Sequence, residues 1–245
     1  MFAYMNENGT IILNGDDDKL RGYSPENGIT PVYFGLDESC GFHAENISGK
    51  GLNGTDAQFF TPNSSFTAHI NIPGAHMVYN ALAATAVGYA LGMTDREICA
   101  GIEANVPIAG RNNLIRAPHF TIIDDCYNAN PQAMEAALEI LADTACRRRV
   151  AVLGDMGELG PISRDAHLQV GRTTARLGLD AVIAIGPKAA AIAQTAGPRA
   201  QHFAAIEEAL PALRREFTPG TAVLVKASHA MHFGWIVEQL KQAYD

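Results

Sequence analysis

The chain has 245 residues, enough for one large or two small domains, and its composition, 47% hydrophobic and 18% charged, is that of a globular protein. The formal net charge of −8 argues against bulk attraction to nucleic acid or to anionic membranes. The four cysteines are widely spaced, no apolar run reaches the roughly 18 residues of a membrane span, and the first residues carry no basic signal sequence. We therefore expect a soluble, cytoplasmic protein whose partners include neither nucleic acid nor a membrane.

The first third of the chain predicts a sheet that begins with parallel strands and ends with antiparallel ones. Residues 9–14 and 30–36 are apolar runs separated by a polar segment, a pattern typical of parallel neighbours. In residues 66–72 apolar and polar side chains alternate, which indicates a half-buried antiparallel strand. Its predicted partners are residues 42–47 and 58–61.

Acidic and histidine side chains in this region allow a metal site, which we consider less well supported than a structural role. Asp16, Asp17 and Asp18 follow the first strand, where a solvated loop capped by its own carboxylates is the commoner arrangement. His43 and His69 have no acidic or cysteine partner at ligand spacing, so we interpret them as surface or pairing residues. No metal ligand is predicted in this chain.

Two helices and a boundary follow. Residues 75–91 are rich in alanine and predict a closely packed helix. Thr94 and Glu97 form the pattern of a capping box that opens a second helix. Pro107 and Gly110 interrupt the helical pattern. We place a domain boundary here and predict domains of residues 1–111 and 112–245.

The second domain alternates strands and helices, as expected for a parallel sheet covered by helices on both faces. The predicted strands are residues 120–126, 149–154, 181–186 and 221–226, with a short one near 202–203. The predicted helices are residues 131–145, 163–177, 187–196, 206–217 and 232–243. Pro131 and Pro187 are expected in first turns, Ser163 as an N-cap, and Gly178 and Gly197 after helix ends. The fold class is α/β, with a Rossmann-like C-terminal domain.

The end of the strand at residues 120–126 carries two carboxylates, a tyrosine and two asparagines: Asp124, Asp125, Tyr127, Asn128 and Asn130. A helix follows from Pro131, and open α/β sheets bind ligands at such strand ends. Carboxylates accept hydrogen bonds from ribose hydroxyls, and side-chain amides both donate hydrogen bonds to amino-acid substrates and accept hydrogen bonds from them. We favour a functional role for Asp125, whereas Asn130 fits a helix cap as well as a ligand contact.

A glycine-rich loop at residues 154–160 follows the next strand and brings Asp155 and Glu158 to the same edge. The loop does not match the dinucleotide-binding pattern GxGxxG, and the phosphate-binding pattern GxxxxGK[ST] is absent from the whole sequence. Any nucleoside triphosphate site in this chain is therefore incomplete.

Four further candidate residues lie outside these two stretches, and the sequence indicates their roles less specifically. Lys226 ends a buried strand, which is costly unless the lysine meets an anion, so we favour a functional role for it, with Ser228 beside it. Arg111 suits a phosphate contact, although an exposed surface arginine is the simpler interpretation. His167 is interpreted as a core or surface residue.

Several stretches resemble the Mur ligase family. Residues 124–131 (DDCYNANP), 152–160 (VLGDMGELG) and 224–228 (LVKAS) resemble the family's C-terminal domain, and the first two resemble the branch that adds D-Ala-D-Ala. Residues 73–76 (PGAH), 80–84 (NALAA) and Gly110 with Arg111 resemble the end of the family's central ATP-binding domain. The resemblance covers nearly the whole chain.

The resemblance implies an ATP-dependent amide ligase of peptidoglycan synthesis that joins D-Ala-D-Ala to UDP-N-acetylmuramoyl-tripeptide through an acyl phosphate. It places Asn80, Arg111 and Asp125 at the nucleotide, and it places Tyr127, Asn128, Asn130, Lys226 and Ser228 at the substrates. The phosphate loop and the Mg²⁺ ligands are expected upstream of this chain, so no catalytic residue is assigned here and the chain alone is expected to be inactive. The full-length enzyme is expected to be a monomer.

The sequence departs from the family pattern at three positions. Met77 stands where the family usually has an asparagine beside the adenine, and Ala227 and His229 stand where it tends to have glycine and arginine. Two other functions stay open: another Mur-like or folylpolyglutamate-type amide ligase, and a non-catalytic binding module.

Overall fold

The computed structural model describes Met5, Glu7 and residues 9–23, 28–117 and 119–242. It divides into two compact units, Met1–Val106 and Pro107–Asp245. Each unit has its own sheet and its own hydrophobic core.

The sheet of the first unit has the strand order β1-β2-β3-β4-β5. Its strands are β1 (Ile12–Asn14), β2 (Val32–Gly35), β3 (Phe42–Gly49), β4 (Thr55–Phe60) and β5 (Ser65–Ile70). The pairs β1–β2 and β2–β3 are parallel, and β3–β4 and β4–β5 are antiparallel. The predicted change from parallel to antiparallel pairing is confirmed.

Two helices, α1 (Met77–Ala90) and α2 (Asp95–Ala104), pack on this sheet. Val78 and Leu82 of α1 are fully buried in one cluster with Ile98 and Ile102 of α2 and apolar residues of β3, β4 and β5. The Thr94 hydroxyl accepts from the Glu97 amide and the Glu97 carboxylate accepts from the Thr94 amide, which confirms the capping box.

The acidic segment after β1 forms a hydrogen-bonded turn, as expected of a capped loop. Asp17 Oδ1 accepts from the Lys19 amide at 2.9 Å, and Asp16 Oδ2 accepts from the Leu36 amide at 2.6 Å. Tyr79 of α1 also donates to Asp16 Oδ2 at 3.0 Å. Burial, and then this bond, raise the pKa of Tyr79 to about 12.

His69 is a pairing residue, as interpreted, and its partner is an acidic side chain. The β4–β5 register places His69 opposite Asp56, and His69 Nδ1 lies 2.6 Å from Asp56 Oδ1. This bond lowers the pKa of Asp56. Sequence spacing did not show the pair because the partner comes from the neighbouring strand.

The sheet of the second unit has the order β10-β9-β8-β11-β7-β6. Its strands are β6 (Asn113–Arg116), β7 (Phe120–Asp124), β8 (Arg148–Gly154), β9 (Ala181–Ile185), β10 (Ala200–Phe203) and β11 (Thr221–Lys226). Every pair is parallel except β6–β7, which confirms the Rossmann-like expectation. The antiparallel edge strand β6 was not predicted, because four half-exposed residues show no clear period.

The helices of this unit are α3 (Pro131–Ala142), α4 (Ser163–Leu177), α5 (Ala190–Thr195), α6 (Ile206–Glu216) and α7 (Gly234–Gln242). Strands β8, β9 and β11 are largely apolar and buried over most of their length. One large cluster joins them to α6 and α7. Strands of this kind need cover on both faces, which explains why helices follow them.

Helix α4 spans Ser163–Leu177, the bounds predicted for it, but Ser163 is not its N-cap. A 3₁₀ turn at Gly160–Ile162 runs directly into the helix, and the Ser163 amide already donates to Gly160 O. The predicted start of α5 is wrong, because Pro187 precedes the helix, which begins at Ala190. In the turn before Ala190, the amides of Lys188 and Ala189 donate to Asp155 Oδ1.

The predicted first residue of α3 and the glycines predicted after α4 and α5 are confirmed, whereas α3 ends at Ala142 rather than at residue 145. Pro131 is the first residue of α3. Gly178 and Gly197 follow α4 and α5 with φ values of 64° and 85°, a conformation that glycine adopts without strain.

Candidate functional site

The candidate site lies at the carboxyl ends of three neighbouring parallel strands, because β11 is inserted between β7 and β8. The loops that leave these strands carry Asp125 to Asn130 after β7, Asp155 to Gly160 after β8, and Ala227 to Met231 after β11. Ligands bind at this edge in open α/β sheets. The predicted convergence of the three strand ends is confirmed.

Asp124 and Asp125 have different surroundings although they are adjacent. Asp124 is buried and holds the chain around Gly110: its Oδ2 accepts from the Gly110 amide at 2.9 Å, and its Oδ1 accepts from Cys126 Sγ at 3.1 Å. Burial, followed by this bond to a carboxylate, raises the pKa of the Cys126 thiol to about 12. Asp124 therefore has a structural role.

Asp125 is half-buried and has one partner on each carboxylate oxygen. Oδ1 accepts from the Asn112 amide at 3.1 Å, and Oδ2 accepts from Lys226 Nζ at 2.5 Å. A carboxylate has about four acceptor positions, so Asp125 keeps capacity for a ligand hydroxyl. Lys226 is 2% exposed and meets the anion that its buried position requires.

Tyr127 is 46% exposed, and its ring lies close to a guanidinium and to an imidazole. The guanidinium carbon of Arg111 lies 4.0 Å from the Tyr127 ring centroid, and the His229 ring centroid lies 5.4 Å away. The Tyr127 amide donates to Gly110 O at 2.9 Å. Gly110 has φ +79° and a Cβ there would lie 3.4 Å from Tyr127 Cβ, so glycine suits this close approach.

The two asparagines are exposed and both use their side-chain oxygens locally. Asn130 Oδ1 accepts from the Ala133 amide at 2.8 Å and caps α3. Of the two roles predicted for Asn130, a helix cap and a ligand contact, the structure thus contains the cap. Asn128 Oδ1 accepts from the Ala129 amide at 2.8 Å. Their ligand roles stay predictions.

The glycine-rich loop after β8 is held by residues of two other elements. The Gly157 amide donates to Ser228 Oγ at 2.6 Å, and the Met156 amide donates to His167 Nε2 at 2.9 Å. His167 is fully buried and its Nδ1 lies 2.6 Å from Ser163 O, so the ring is a neutral tautomer that bridges loop and helix. The interpretation of His167 as a satisfied core residue is confirmed.

Asp155 has a structural function like that of Asp124. It is buried and accepts the two amides before α5, while its own carbonyl accepts from the Ser228 amide at 3.0 Å. Glu158 is exposed and has a left-handed backbone with φ +59°.

Asn80 belongs to the first unit, where it lies exposed near the start of α1. Its Nδ2 donates to the Met77 sulfur at 3.3 Å, so the residue that departs from the family pattern occupies one donor of the asparagine. Both residues line an apolar pocket of about 460 Å³ between α1 and α2. That volume is in the range of small-molecule sites.

Sequence analysis missed Asn112, which supplies the amide that orients Asp125. Its left-handed φ of 46° turns the chain from Arg111 into β6. The pair of asparagines after Gly110 and Arg111 was the available signal, because asparagine tolerates this conformation better than most residues.

Among the described residues, no group of three or more histidine, cysteine, aspartate or glutamate side chains is arranged to hold a metal ion. In the same part of the chain, no helix is both long enough and apolar enough to cross a bilayer.

Comparison with known families supports the resemblance found in the sequence. Residues 110–229 match the Mur ligase, glutamate ligase domain, and residues 1–88 match the Mur ligase middle domain. A mixed sheet and a parallel sheet in two units, with loops converging at one strand edge, are what these two domains provide. The chain belongs to the Mur ligase family.

The proteins to which this chain is similar include D-Ala-D-Ala-adding ligases. The UDP-N-acetylmuramoyl-tripeptide–D-alanyl-D-alanine ligase of Escherichia coli K12 is 34% identical over 207 residues, which cover 83% of this chain and 45% of the relative. A crystal structure of MurF from Acinetobacter baumannii has a TM-score of 0.87 at 29% identity, covering 98% of this chain and 53% of that one.

A second similar structure contains a nucleotide. MurF ligase from Thermotoga maritima, solved in complex with ADP, has a TM-score of 0.80 at 26% identity and is matched over 96% of this chain and 54% of its own. The chain thus spans about half the length of the relatives that it matches.

Proposed function

We propose that the chain supplies the adenosine and D-Ala-D-Ala contacts of an ATP-dependent ligase that forms UDP-N-acetylmuramoyl-pentapeptide for peptidoglycan. The observation that carries the proposal is the set of loops after β7 and β11, in which the Asp125 carboxylate is oriented by two partners and still has free acceptor capacity. The loop after β7 and the glycine-rich loop after β8 contain the stretches that resemble the D-Ala-D-Ala-adding branch. The named relatives and the ADP-containing structure support the same activity.

The residues present fit an adenine nucleotide in part. Asp125 has acceptor positions for ribose hydroxyls, and Arg111 is an exposed cation whose position is restrained by stacking on Tyr127. In the first unit, Asn80 has amide groups for a base and lies beside an apolar pocket. ATP, when bound, supplies the phosphoryl group that activates the peptide carboxylate; we assign no residue of this chain to Mg²⁺ or to that transfer.

Tyr127 and Asn128 are proposed to receive the incoming dipeptide. Both are exposed on the loop that follows Asp125, and Asn128 has an amide nitrogen that can donate to a carboxylate. Asn130 and Ser228 complete the proposed substrate side, to which the resemblance also assigns Lys226. All four cysteines are free thiols, which supports a reducing, cytoplasmic location.

Calorimetric titration of the 245-residue chain with ADP and with D-Ala-D-Ala tests this proposal. Both ligands are expected to bind. Asp125→Asn is expected to weaken the binding of ADP about tenfold, which is the scale of one charge-assisted hydrogen bond. Asn128→Ala is expected to weaken D-Ala-D-Ala and to leave ADP unchanged. If Asn128→Ala leaves dipeptide binding intact, an amide ligase with another amine substrate becomes the better interpretation.

Turnover is a separate test. ADP release is measured with this chain, ATP, UDP-N-acetylmuramoyl-tripeptide and D-Ala-D-Ala. We expect none, because the chain contains no phosphate-binding GxxxxGK[ST] pattern. Clear turnover by the chain alone contradicts the assignment of the phosphoryl-transfer step to other residues.

A further inference from the structure

Lys226 occupies an unusual place for a charged residue, the last position of the central strand β11. Its neighbours β7 and β8 flank it on both sides, and only 2% of its surface is exposed. A buried ammonium loses its hydration and needs compensating partners. Every partner that the structure gives to Lys226 comes from one loop.

The three donors of the Lys226 ammonium have three acceptors in the loop after β7. Nζ lies 2.5 Å from Asp125 Oδ2, 3.0 Å from Asn128 O and 3.5 Å from Asp125 O. An ammonium has only three N–H groups, so this arrangement leaves no donor for a ligand. The contacts also tie the two ends of the segment that carries Tyr127.

The contact with Lys226 affects both the orientation and the charge balance of the Asp125 carboxylate. The Lys226 ammonium on Oδ2 and the Asn112 amide on Oδ1 fix the carboxylate plane from two sides. The lysine also balances the negative charge of Asp125. A hydroxyl ligand is therefore met by an oriented acceptor, without an unbalanced charge that would repel a nearby polyanion.

We propose that Lys226 is a positioning residue, which orients Asp125 for the two hydroxyls of a ribose and touches neither the nucleotide nor the dipeptide. This inference rests on the proposed function, because it takes a ribonucleotide as the ligand of Asp125. It differs from the role that sequence resemblance implies for Lys226, a contact with substrate.

Binding of two related nucleotides distinguishes a Lys226 that positions Asp125 from a Lys226 that contacts the nucleotide directly. ADP and 2′,3′-dideoxy-ADP have the same base and phosphates and differ only in the hydroxyls that Asp125 accepts. The wild-type chain is expected to bind ADP about tenfold more tightly than the dideoxy analogue, the scale of charge-assisted hydrogen bonds. In Lys226→Met the preference is expected to fall to within about twofold while affinity for the dideoxy analogue stays unchanged.

Two further variants keep the comparison interpretable. Asp125→Asn combined with Lys226→Met leaves no unpaired charge, and it is compared with Asp125→Asn alone if Lys226→Met alone fails to fold. Equal ADP affinity of these two variants is expected, because a positioning residue acts only through Asp125, and a further loss on removing Lys226 overturns the proposal. Lys241→Met is the matched control, because Lys241 pairs with Glu238 at 2.7 Å on the exposed face of α7. It is expected to keep the wild-type preference.

An equal loss of affinity for both nucleotides in Lys226→Met overturns the proposal, since it indicates a phosphate or base contact. An unchanged tenfold preference overturns it as well.

If the wild-type chain binds neither nucleotide, the proposed function fails for this chain, and hydrogen exchange decides the inference without a ligand. Positioning predicts that the Asn112 amide exchanges about tenfold faster in Lys226→Met, as its carboxylate acceptor loses its fixed orientation. Unchanged exchange at Asn112 then contradicts the proposal.

Discussion

The guanidinium of Arg111 lies over the ring of Tyr127, with its central carbon 4.0 Å from the ring centroid. The family resemblance implies a nucleotide contact for Arg111 and a position at the nucleotide edge and the incoming dipeptide for Tyr127. The stacking couples them, so a change in the position of the ring changes the position of the cation. The His229 ring, at a position where the family pattern has arginine, lies 5.4 Å from the Tyr127 ring between centroids and is tilted by 49° to it.

Removing the Tyr127 ring is expected to release Arg111. Tyr127→Ala loses a cation–π contact that contributes about 0.5–1 kcal/mol at an exposed site, which corresponds to a roughly two- to fivefold weaker binding of ADP. Tyr127→Phe keeps the ring and is the matched control, expected to stay within about twofold of wild type. Calorimetric titration with ADP gives both values. If Tyr127→Phe loses as much ADP affinity as Tyr127→Ala, the tyrosine hydroxyl is responsible rather than the cation–π contact.

Ser228 is expected to stabilise the glycine-rich loop. Ser228→Ala leaves the Gly157 amide without the hydroxyl acceptor at 2.6 Å, at an expected cost of about 1–3 kcal/mol. The chain has a single tryptophan, Trp235 in α7 of the same unit, so its fluorescence during urea unfolding reports the change. Ser228→Thr retains a hydroxyl and should recover most of the stability. Unchanged stability in Ser228→Ala, accompanied by loss of D-Ala-D-Ala binding, supports direct ligand contact instead.

The capping box of α2 gives a prediction for the first unit. Thr94→Ala removes the hydroxyl that accepts from the amide three residues on, at an expected cost of about 1 kcal/mol. Thr94→Ser preserves the cap and is the control. Far-UV circular dichroism during urea unfolding measures the difference. Equal stability of the Ala and Ser variants contradicts a capping contribution.

The same cap predicts a pH dependence. Hydrogen bonds from Thr94 lower the pKa of Glu97 below its unfolded value. Its contribution to stability is therefore present above about pH 4.3, the unfolded pKa, and is lost as pH falls through the folded pKa. The stability difference between wild type and Thr94→Ala should shrink in acid, and a difference that stays constant down to pH 2 contradicts this origin.

Cys126 is expected to be an unreactive thiol. Its pKa of about 12 is raised by burial and by the bond to Asp124, so at pH 8 it has roughly a thousandfold less thiolate than an ordinary cysteine. The folded thiol form adds stability below the unfolded pKa of about 8.5, and this is lost as pH rises through about 12. Iodoacetamide labelling followed by peptide mass spectrometry should find Cys126 modified only near pH 11 and above. Rapid labelling at pH 8 contradicts the assigned environment.

The order of strands and helices in the second unit was largely predictable because β8, β9 and β11 are mostly apolar runs separated by helical patterns. β6 was not predicted, because its four residues have no period, and the N-cap of α4 and the start of α5 were misplaced. Ser163 and Pro187 have the right local chemistry, but a 3₁₀ turn before α4 and the distant carboxylate of Asp155 before α5 satisfy the backbone first.

The sequence by itself determined the apolar periods, the caps at Thr94 and Asn130, the family, and the cluster of polar side chains after β7, because these depend on neighbouring residues. Only the tertiary structure decided which of the polar residues serve each other. Asp124, Asp155 and His167 bind backbone amides, and Lys226 and Asn112 together orient Asp125. These partners are far apart in the chain and meet only because β11 returns between β7 and β8, which no local pattern records.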